Sequence, residues 1–397
     1  MENYKFILPT TLFVGEGVLQ KKAEVMLNLG KKAFIITGPV LSGRISGEKH
    51  QSVKDVEAAL SKVGIEYRIC DKVVCNPPVD NVAEVAQEAR AFGPDFLIAC
   101  GGGSSIDVTK GVSILINYPD EDPYYVLYKM INTGGASSSS PRTANMVGLG
   151  DGTLPVVAVP TTAGTGSEMT SSAVLTNEQL HTKMVPSQRV FCTAAFIDYR
   201  YIKTCPKELL DSAAMDALTH GVEGYLNNTS NFLVRSFAMT GFKLFAKFKD
   251  HLMTGELTDE DYENMALASN IFGTSEMCGT TITHGMGYPL TEDKGLSHGL
   301  SCAVFLGEFL RGFKDKSLVQ PVVDACGFDD VNAFADYVND VLQPHVKFTC
   351  TNKEIDEWTE TMITGTQKWR LPKNPEPLTR EDIRSIYVKS LSRAIVD

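Results

Sequence analysis

The feature that most constrains this 397-residue chain is a glycine triplet, Gly101-Gly102-Gly103, followed by Ser104-Ser105. It comes directly after the apolar run Phe96-Leu97-Ile98-Ala99-Cys100, which reads as a buried strand, and it opens a helical pattern. Glycines let a backbone approach a bound group closely, and the free amides of a helix's first turn attract negative charge. Strand, glycine turn and helix in that order read as a phosphate cradle, or as a tight structural turn if no anion binds there. The segment is not a GxGxxG fingerprint, and no Walker lysine follows it.

The same alternation surrounds the triplet. Residues 31–37 read as a strand ending at Gly38, 65–70 as a second strand, and 154–159 as another that stops at Pro160. Between them, residues 52–60 read as a helix opening with a Ser52 cap, and 80–92 as a helix with Val82, Val85, Ala86 and Ala89 on one face. Strands alternating with helices imply crossover units and a parallel sheet, and such sheets bind ligands beyond the carboxyl ends of their strands. The glycines at 101–103 and the Thr/Gly cluster at 161–166 both sit at such ends. The stretch 132–152, rich in Gly, Ser, Thr and Asn, reads as a mobile surface loop or as a lid over a bound cofactor. After about residue 205 the strand signal fades. Residues 209–227, 259–277, 331–342, 352–365 and 380–395 have helical spacing or composition. The expected fold is therefore a Rossmann-like α/β nucleotide-binding N-terminal domain, residues 1–195, plus an all-α C-terminal domain, residues 196–397.

Composition excludes several classes. With 43% apolar and 21% charged residues the chain has ordinary globular usage, which rules out a disordered polymer. A net charge of −11 argues against nucleic-acid and anionic-membrane partners, since both require clustered positive charge. No apolar run approaches the roughly 18–20 residues of a membrane-spanning helix. The opening residues lack the order of a secretory signal, and the nine scattered cysteines form no CxxC pair. Both fit reduced thiols in a cytoplasm, most of them acting as small buried hydrophobes.

Asp216 and His220 are four residues apart, so on a helix both side chains leave one face. Such a pair makes a helix-surface contact or holds a cation. His284 and His298 are each followed by glycine in an apolar stretch, a setting that also suits a satisfied core histidine. These account for three of only seven histidines. Together with Asp216 they would form a shell of one carboxylate and three imidazoles, which suits divalent iron or zinc rather than calcium or magnesium. His50, His181, His251 and His345 lie in polar or loop-like contexts and receive no role.

Four segments in this order resemble the iron-containing (group III) alcohol dehydrogenase family: 101–110 (GGGSSIDVTK), 160–168 (PTTAGTGSE), 216–223 (DALTHGVE), and the paired His284 and His298 segments, 14 residues apart. The resemblance covers nearly the whole chain. It implies the two-domain architecture shared by dehydroquinate synthase-like and iron alcohol dehydrogenase proteins. It also implies that Asp216, His220, His284 and His298 bind iron(II), or zinc in some members. The cofactor, NADP or NAD, would rest its pyrophosphate on Gly101, Gly102, Gly103 and Ser104, within the segment that also carries Asp107, and would contact Asn76, Thr161, Thr162, Thr170 and Lys183. The implied activity is reversible hydride transfer between a small primary alcohol, a diol or hydroxy acid included, and its aldehyde. Members are usually cytoplasmic homodimers or larger assemblies. The other readings carried are a zinc glycerol-dehydrogenase-like or dehydroquinate-synthase-like enzyme, and a non-catalytic nucleotide-binding protein of the same fold.

Two departures from the family pattern carry consequences. Many members place a second imidazole four residues after the first and assign it to proton transfer. This chain has Tyr288 there, which either relays a proton or shapes the pocket. NAD-preferring members often carry an acidic residue after the strand that ends here at Thr37, whereas this chain has Gly38. Without the repelling carboxylate, NADP is expected to be accepted or preferred, with Ser42 and Arg44 available as donors to its extra phosphate unless Arg44 is simply a solvated surface charge. A carboxylate- or phosphonate-bearing substrate would need a cationic partner in the pocket, and the sequence does not place one.

Overall fold

The computed structural model describes residues 4, 6–130, 153–180 and 182–397. The 132–152 segment, read above as a loop or a lid, lies outside them. The chain forms two compact bodies: Ile7–Thr162 with Ser167–Lys203, and Met1–Phe6 with Ala163–Gly166 and Thr204–Asp397. The Ala163–Gly166 turn of the Thr/Gly cluster thus belongs to the second body.

The first body contains eight described strands: β1 (Thr11–Val14), β2 (Lys32–Ile36), β3 (Glu66–Cys70), β4 (Phe96–Gly101), β5 (Val156–Pro160), β6 (Leu175–Asn177), β7 (Thr182–Met184) and β8 (Ala194–Ile197). Six form a parallel sheet in the order β1-β8-β5-β4-β2-β3, while β6 and β7 make a separate antiparallel pair. The inner strands β4 and β5 are buried throughout, which is why their sequences are continuous apolar runs. The sequence reading found β2, β3, β4 and β5 but not β1, β8 or the β6–β7 pair. β1 is a four-residue edge strand whose Leu12 and Val14 face outward, and β8 is half alanine, so neither carries a strong strand signal.

Helices α1 (Gln51–Val63), α2 (Val79–Phe92) and α3 (Gly103–Leu115) belong to this body. α2 buries Val82, Val85, Ala86 and Ala89, the face read from its spacing. The expected Ser52 cap is corrected: His50 is the cap residue, its Nδ1 accepting from the Ser52 amide, while Ser52 sits inside the first turn and is buried. α3 is buried from Ser105 to Leu115, so only its first turn reaches the surface.

The second body is helical. It contains α4 (Lys207–Leu226), α5 (Phe232–Thr254), α6 (Asp259–Gly273), α7 (Ile282–Asp293), α8 (His298–Ala303), α9 (Val331–Leu342), α10 (Asn352–Ile363) and α11 (Arg380–Ser390), with shorter helices between. The sequence reading missed α5, in which phenylalanines and a central Gly241 weaken the helical signal, and α7, which carries Gly285, Gly287 and Pro289.

Candidate active site

In the sheet body, β4 ends at Gly101 with φ +155°, and a side chain there would place Cβ 2.3 Å from Ser105 Oγ. Only glycine fits, so the chain can turn straight into α3. Gly102 precedes α3, and a Cβ on it would meet Thr162 Oγ1 at 3.0 Å. The Thr161 amide donates to the Gly101 carbonyl (3.1 Å), tying the turn after β5 to the turn after β4. Gly102, Gly103 and Ser104 are half-buried, which leaves the Gly103 and Ser104 amides at the start of α3 where a ligand could reach them.

Asn76 has φ 50°, the one described non-glycine residue with positive φ. Its Oδ1 accepts from Lys183 Nζ (2.9 Å), which brings two of the expected cofactor contacts together. Asp107 and Thr170 face inward instead. Asp107 accepts from Ser167 Oγ (2.6 Å) and the Val174 amide (3.0 Å). The Thr170 carbonyl accepts from the fully buried Lys110 (2.8 Å), which also donates to the Ser167 and Ser172 carbonyls. These two charged residues hold the 167–174 segment on α3. Their sequence signal was a charged pair three residues apart in an otherwise uncharged helix.

Gly38 follows β2, and a Cβ there would lie 3.5 Å from the Val73 carbonyl oxygen, an ordinary contact. Ser42 and Arg44, read as donors to a 2′-phosphate, both engage Asp71. Ser42 Oγ donates to its carboxylate (2.7 Å), as does Arg44 Nε (2.9 Å). Sequence reasoning looked for an acid after β2 and missed this one, which follows β3.

In the helical body, α4 presents Asp216 and His220, α7 presents His284, and α8 begins at His298. Gly299 lets α8 lie directly on α4: a Cβ there would sit 2.0 Å from the Ser212 carbonyl oxygen and 2.8 Å from Asp216 Cβ. Asp216, His284 and His298 converge, while His220 lies against them but outside the group whose donor atoms are mutually close. His284 Nε2 lies 3.7 Å from Asp216 Oδ1, and His220 Nδ1 lies 3.9 Å from Asp216 Oδ2. The His284 ring is 4.5 Å from that of His220 and 5.5 Å from that of His298, between centroids. One ligand atom each from Asp216, His284, His298 and Cys302 lies within 4.8 Å of the other three. Cys302, one turn into α8, is a neighbour the sequence reading did not single out. Burial pushes its thiol up, so a neutral thiol faces the His298 ring nitrogens at 3.7 and 3.9 Å.

Two buried atoms here, Asp216 Oδ1 and His284 Nε2, make no hydrogen bond. Buried polar atoms are normally satisfied, so adjacent exceptions require an explanation. Two ligands of a tetrahedral ion at about 2.1 Å stand roughly 3.4 Å apart, close to their 3.7 Å separation. The donor set therefore fits a divalent cation.

Glu223 stands behind His284. Its carboxylate receives His284 Nδ1 (2.5 Å), the Thr281 hydroxyl (2.8 Å), and the Thr283 hydroxyl (2.6 Å) and amide (2.9 Å). A carboxylate on Nδ1 fixes the tautomer that leaves Nε2 with its lone pair toward the donor cluster. Sequence reasoning gave Glu223 no role, although positions 216, 220 and 223 share one helical face. Burial works to raise the carboxyls of Asp216 and Glu223, but both are held well below the usual range. His220, with His284 and His298, outweighs burial at Asp216, as His284 and Thr283 do at Glu223.

Tyr288, one turn beyond His284, stacks on His298 at 6.1 Å and 29°. Its hydroxyl accepts from Arg370 Nη2 (2.9 Å).

A glycine turn at the end of a parallel-sheet strand in one body, and an Asp/His cluster in the other, mark a class of nucleotide- and metal-dependent oxidoreductases. Residues 9–199 match the family model for iron-containing alcohol dehydrogenase, and residues 212–391 match the C-terminal model of the Fe-containing alcohol dehydrogenase family. The lactaldehyde reductase of Escherichia coli K12 is 29% identical over 96% of this chain and 98% of its own length. The iron-containing alcohol dehydrogenase structure from Thermotoga maritima is 30% identical, with a TM-score of 0.82 and coverage of 98% of this chain and 100% of that one. Sulfoacetaldehyde reductase from Bifidobacterium kashiwanohense in complex with NAD+ is 26% identical, with a TM-score of 0.80 and coverage of 99% and 100%. The chain belongs to the iron-containing alcohol dehydrogenase family. It is an NAD(P)-linked oxidoreductase that interconverts alcohols and aldehydes.

Proposed function

We propose that Asp216, His220, His284 and His298 hold one divalent cation, iron(II) or zinc. We further propose that Gly101–Ser104, with Asn76, Thr161, Thr162 and Lys183, hold the cofactor. The observation that carries the metal assignment is the pair of buried, non-hydrogen-bonded atoms Asp216 Oδ1 and His284 Nε2, 3.7 Å apart. When bound, the cation supplies Lewis acidity to the substrate oxygen, and the nicotinamide carries the hydride. The chain's own residues prepare that chemistry. Glu223 sets the His284 tautomer, Gly299 brings His298 onto Asp216, and Tyr288 forms a wall beside His298. The α3 amides and the Gly101 turn orient the pyrophosphate.

For the nucleotide, the reading is that NADP and NAD are both accepted. Gly38 presents no carboxylate to repel a 2′-phosphate, while Asp71 restrains the donors Ser42 and Arg44. From the family resemblance alone we infer a cytoplasmic homo-oligomer.

An anaerobic survey of aldehydes with NADPH and NADH after iron loading tests the reaction. His284→Ala is expected to lose metal and turnover while retaining cofactor binding. Full turnover by a metal-free variant would contradict the site assignment.

A further inference from the structure

His298 opens α8, a helix of only six residues. A helix that short does not hold its shape alone in water, so its neighbours must fix it in place. Its first-turn amides also need acceptors, and the residue before a helix normally supplies one from its own side chain. Ser297 stands at that position and is a favoured residue type there, yet its side chain makes no capping bond. The acceptor comes from another helix. Ser212 Oγ, on α4 and one turn before Asp216, receives the Leu300 amide (3.3 Å), the third amide of α8. The same oxygen pairs with Ser297 Oγ (2.9 Å). Ser212 and Leu300 are both buried.

The backbone of Ser212 takes part as well. Its carbonyl oxygen is the atom that a Cβ on Gly299 would meet at 2.0 Å. On the other side of α8, a Cβ on Gly287 of α7 would lie 2.7 Å from the Ser301 carbonyl oxygen. Ser301 Oγ donates back to the carbonyls of Ser297 (3.0 Å) and Leu296 (3.2 Å), which closes the turn. The short helix is thus caught between α4, which carries Asp216 and His220, and α7, which carries His284. Ser212 fastens it to α4 with both its hydroxyl and its carbonyl.

We infer that Ser212 is a positioning residue for the metal site: its hydroxyl caps α8 from outside that helix and so fixes His298 relative to Asp216, one turn further along α4. Ser212 acts through His298 and is not itself a ligand. Without the cap the first turn of α8 loosens, and His298 has to be ordered as the cation binds. This inference rests on the cation-site reading given above.

The probe is cobalt(II), bound by the metal-free protein in competition with chelators of graded affinity, with the thermal midpoint of the metal-free protein as the folding control. Ser212→Ala removes only the hydroxyl, and alanine is the better helix former, so α4 is expected to persist. Cobalt affinity is expected to fall about fivefold, the size of a typical cap loss. Ser297→Ala, which leaves the Leu300 amide on Ser212, is expected to lose less. In a His298→Ala background, Ser212→Ala is expected to change affinity by less than about twofold, because its route to the cation is already gone. Equal losses in the two backgrounds would make the role merely structural and overturn the inference. Wild-type affinity in folded Ser212→Ala protein, or an equal loss in Ser297→Ala, overturns it too. Hydrogen exchange of the Leu300 amide in the unsubstituted metal-free protein gives a readout that needs no variant to fold. Slow exchange is expected, and exchange as fast as in an unfolded chain overturns the cap. If the wild type takes up no cobalt, the cation-site reading fails and the positioning role falls with it, while slow Leu300 exchange still identifies the cap.

Discussion

Glu223→Gln isolates what the carboxylate behind His284 does. In the parent, Glu223 accepts from His284 Nδ1 at 2.5 Å and from three donors on Thr281 and Thr283. Glutamine is nearly isosteric, and its carbonyl oxygen can still take the threonine donors. Its amide then faces His284 Nδ1 as a donor. Nδ1 must become the acceptor, and the ring proton moves to Nε2, the atom aimed at the cation. The change removes one charge-assisted hydrogen bond and blocks a ligand lone pair without opening a cavity. Loss of such a partner costs about 10- to 100-fold in metal affinity, or about 1.4–2.7 kcal/mol. The assay is competition for iron(II) or zinc against a chelator of known affinity, with the thermal midpoint of the metal-free protein as a folding control. Wild-type metal affinity in a folded Glu223→Gln protein would refute the tautomer argument.

Three further outcomes are expected. Gly38→Asp should shift the cofactor ratio toward NAD, since the added Cβ meets only an ordinary contact; Asp71→Asn, which releases Ser42 and Arg44, should shift it toward NADP by roughly tenfold, as one charge-assisted contact is gained. Unchanged NADPH/NADH ratios would oppose the first and second arms respectively. Tyr288→Phe should leave the shape of the pH–rate profile for butanal intact; loss of one limb of the profile would instead identify Tyr288 as the proton relay. His220→Ala should lose bound metal on dialysis while Cys302→Ser keeps it, measured by elemental analysis; the opposite pattern would make the thiol the fourth ligand.

The features legible in the sequence were those set by local rules. Buried parallel strands announce themselves as apolar runs, the Gly101 turn as a glycine triplet, and the Asp216/His220 pair by its helical spacing. The features that were not legible depend on long-range pairing. Asp71 meets Arg44 only because β3 lies beside β2. Cys302 joins the histidines because Gly299 allows α8 to lie on α4. Arg370 reaches Tyr288 from 82 residues away. Lys110 and Asp107 looked like parts of a cofactor motif, yet their charges are directed to the 167–174 segment. Sequence spacing identifies which groups share an element, not which element will lie against it.

X-ray absorption at the iron edge of the reconstituted protein addresses the core assignment most directly. The expected spectrum is one iron per chain, ringed by imidazole nitrogen and carboxylate oxygen at about 2.0–2.2 Å. A sulfur shell near 2.3 Å, or iron scattering with no imidazole signature, would contradict it.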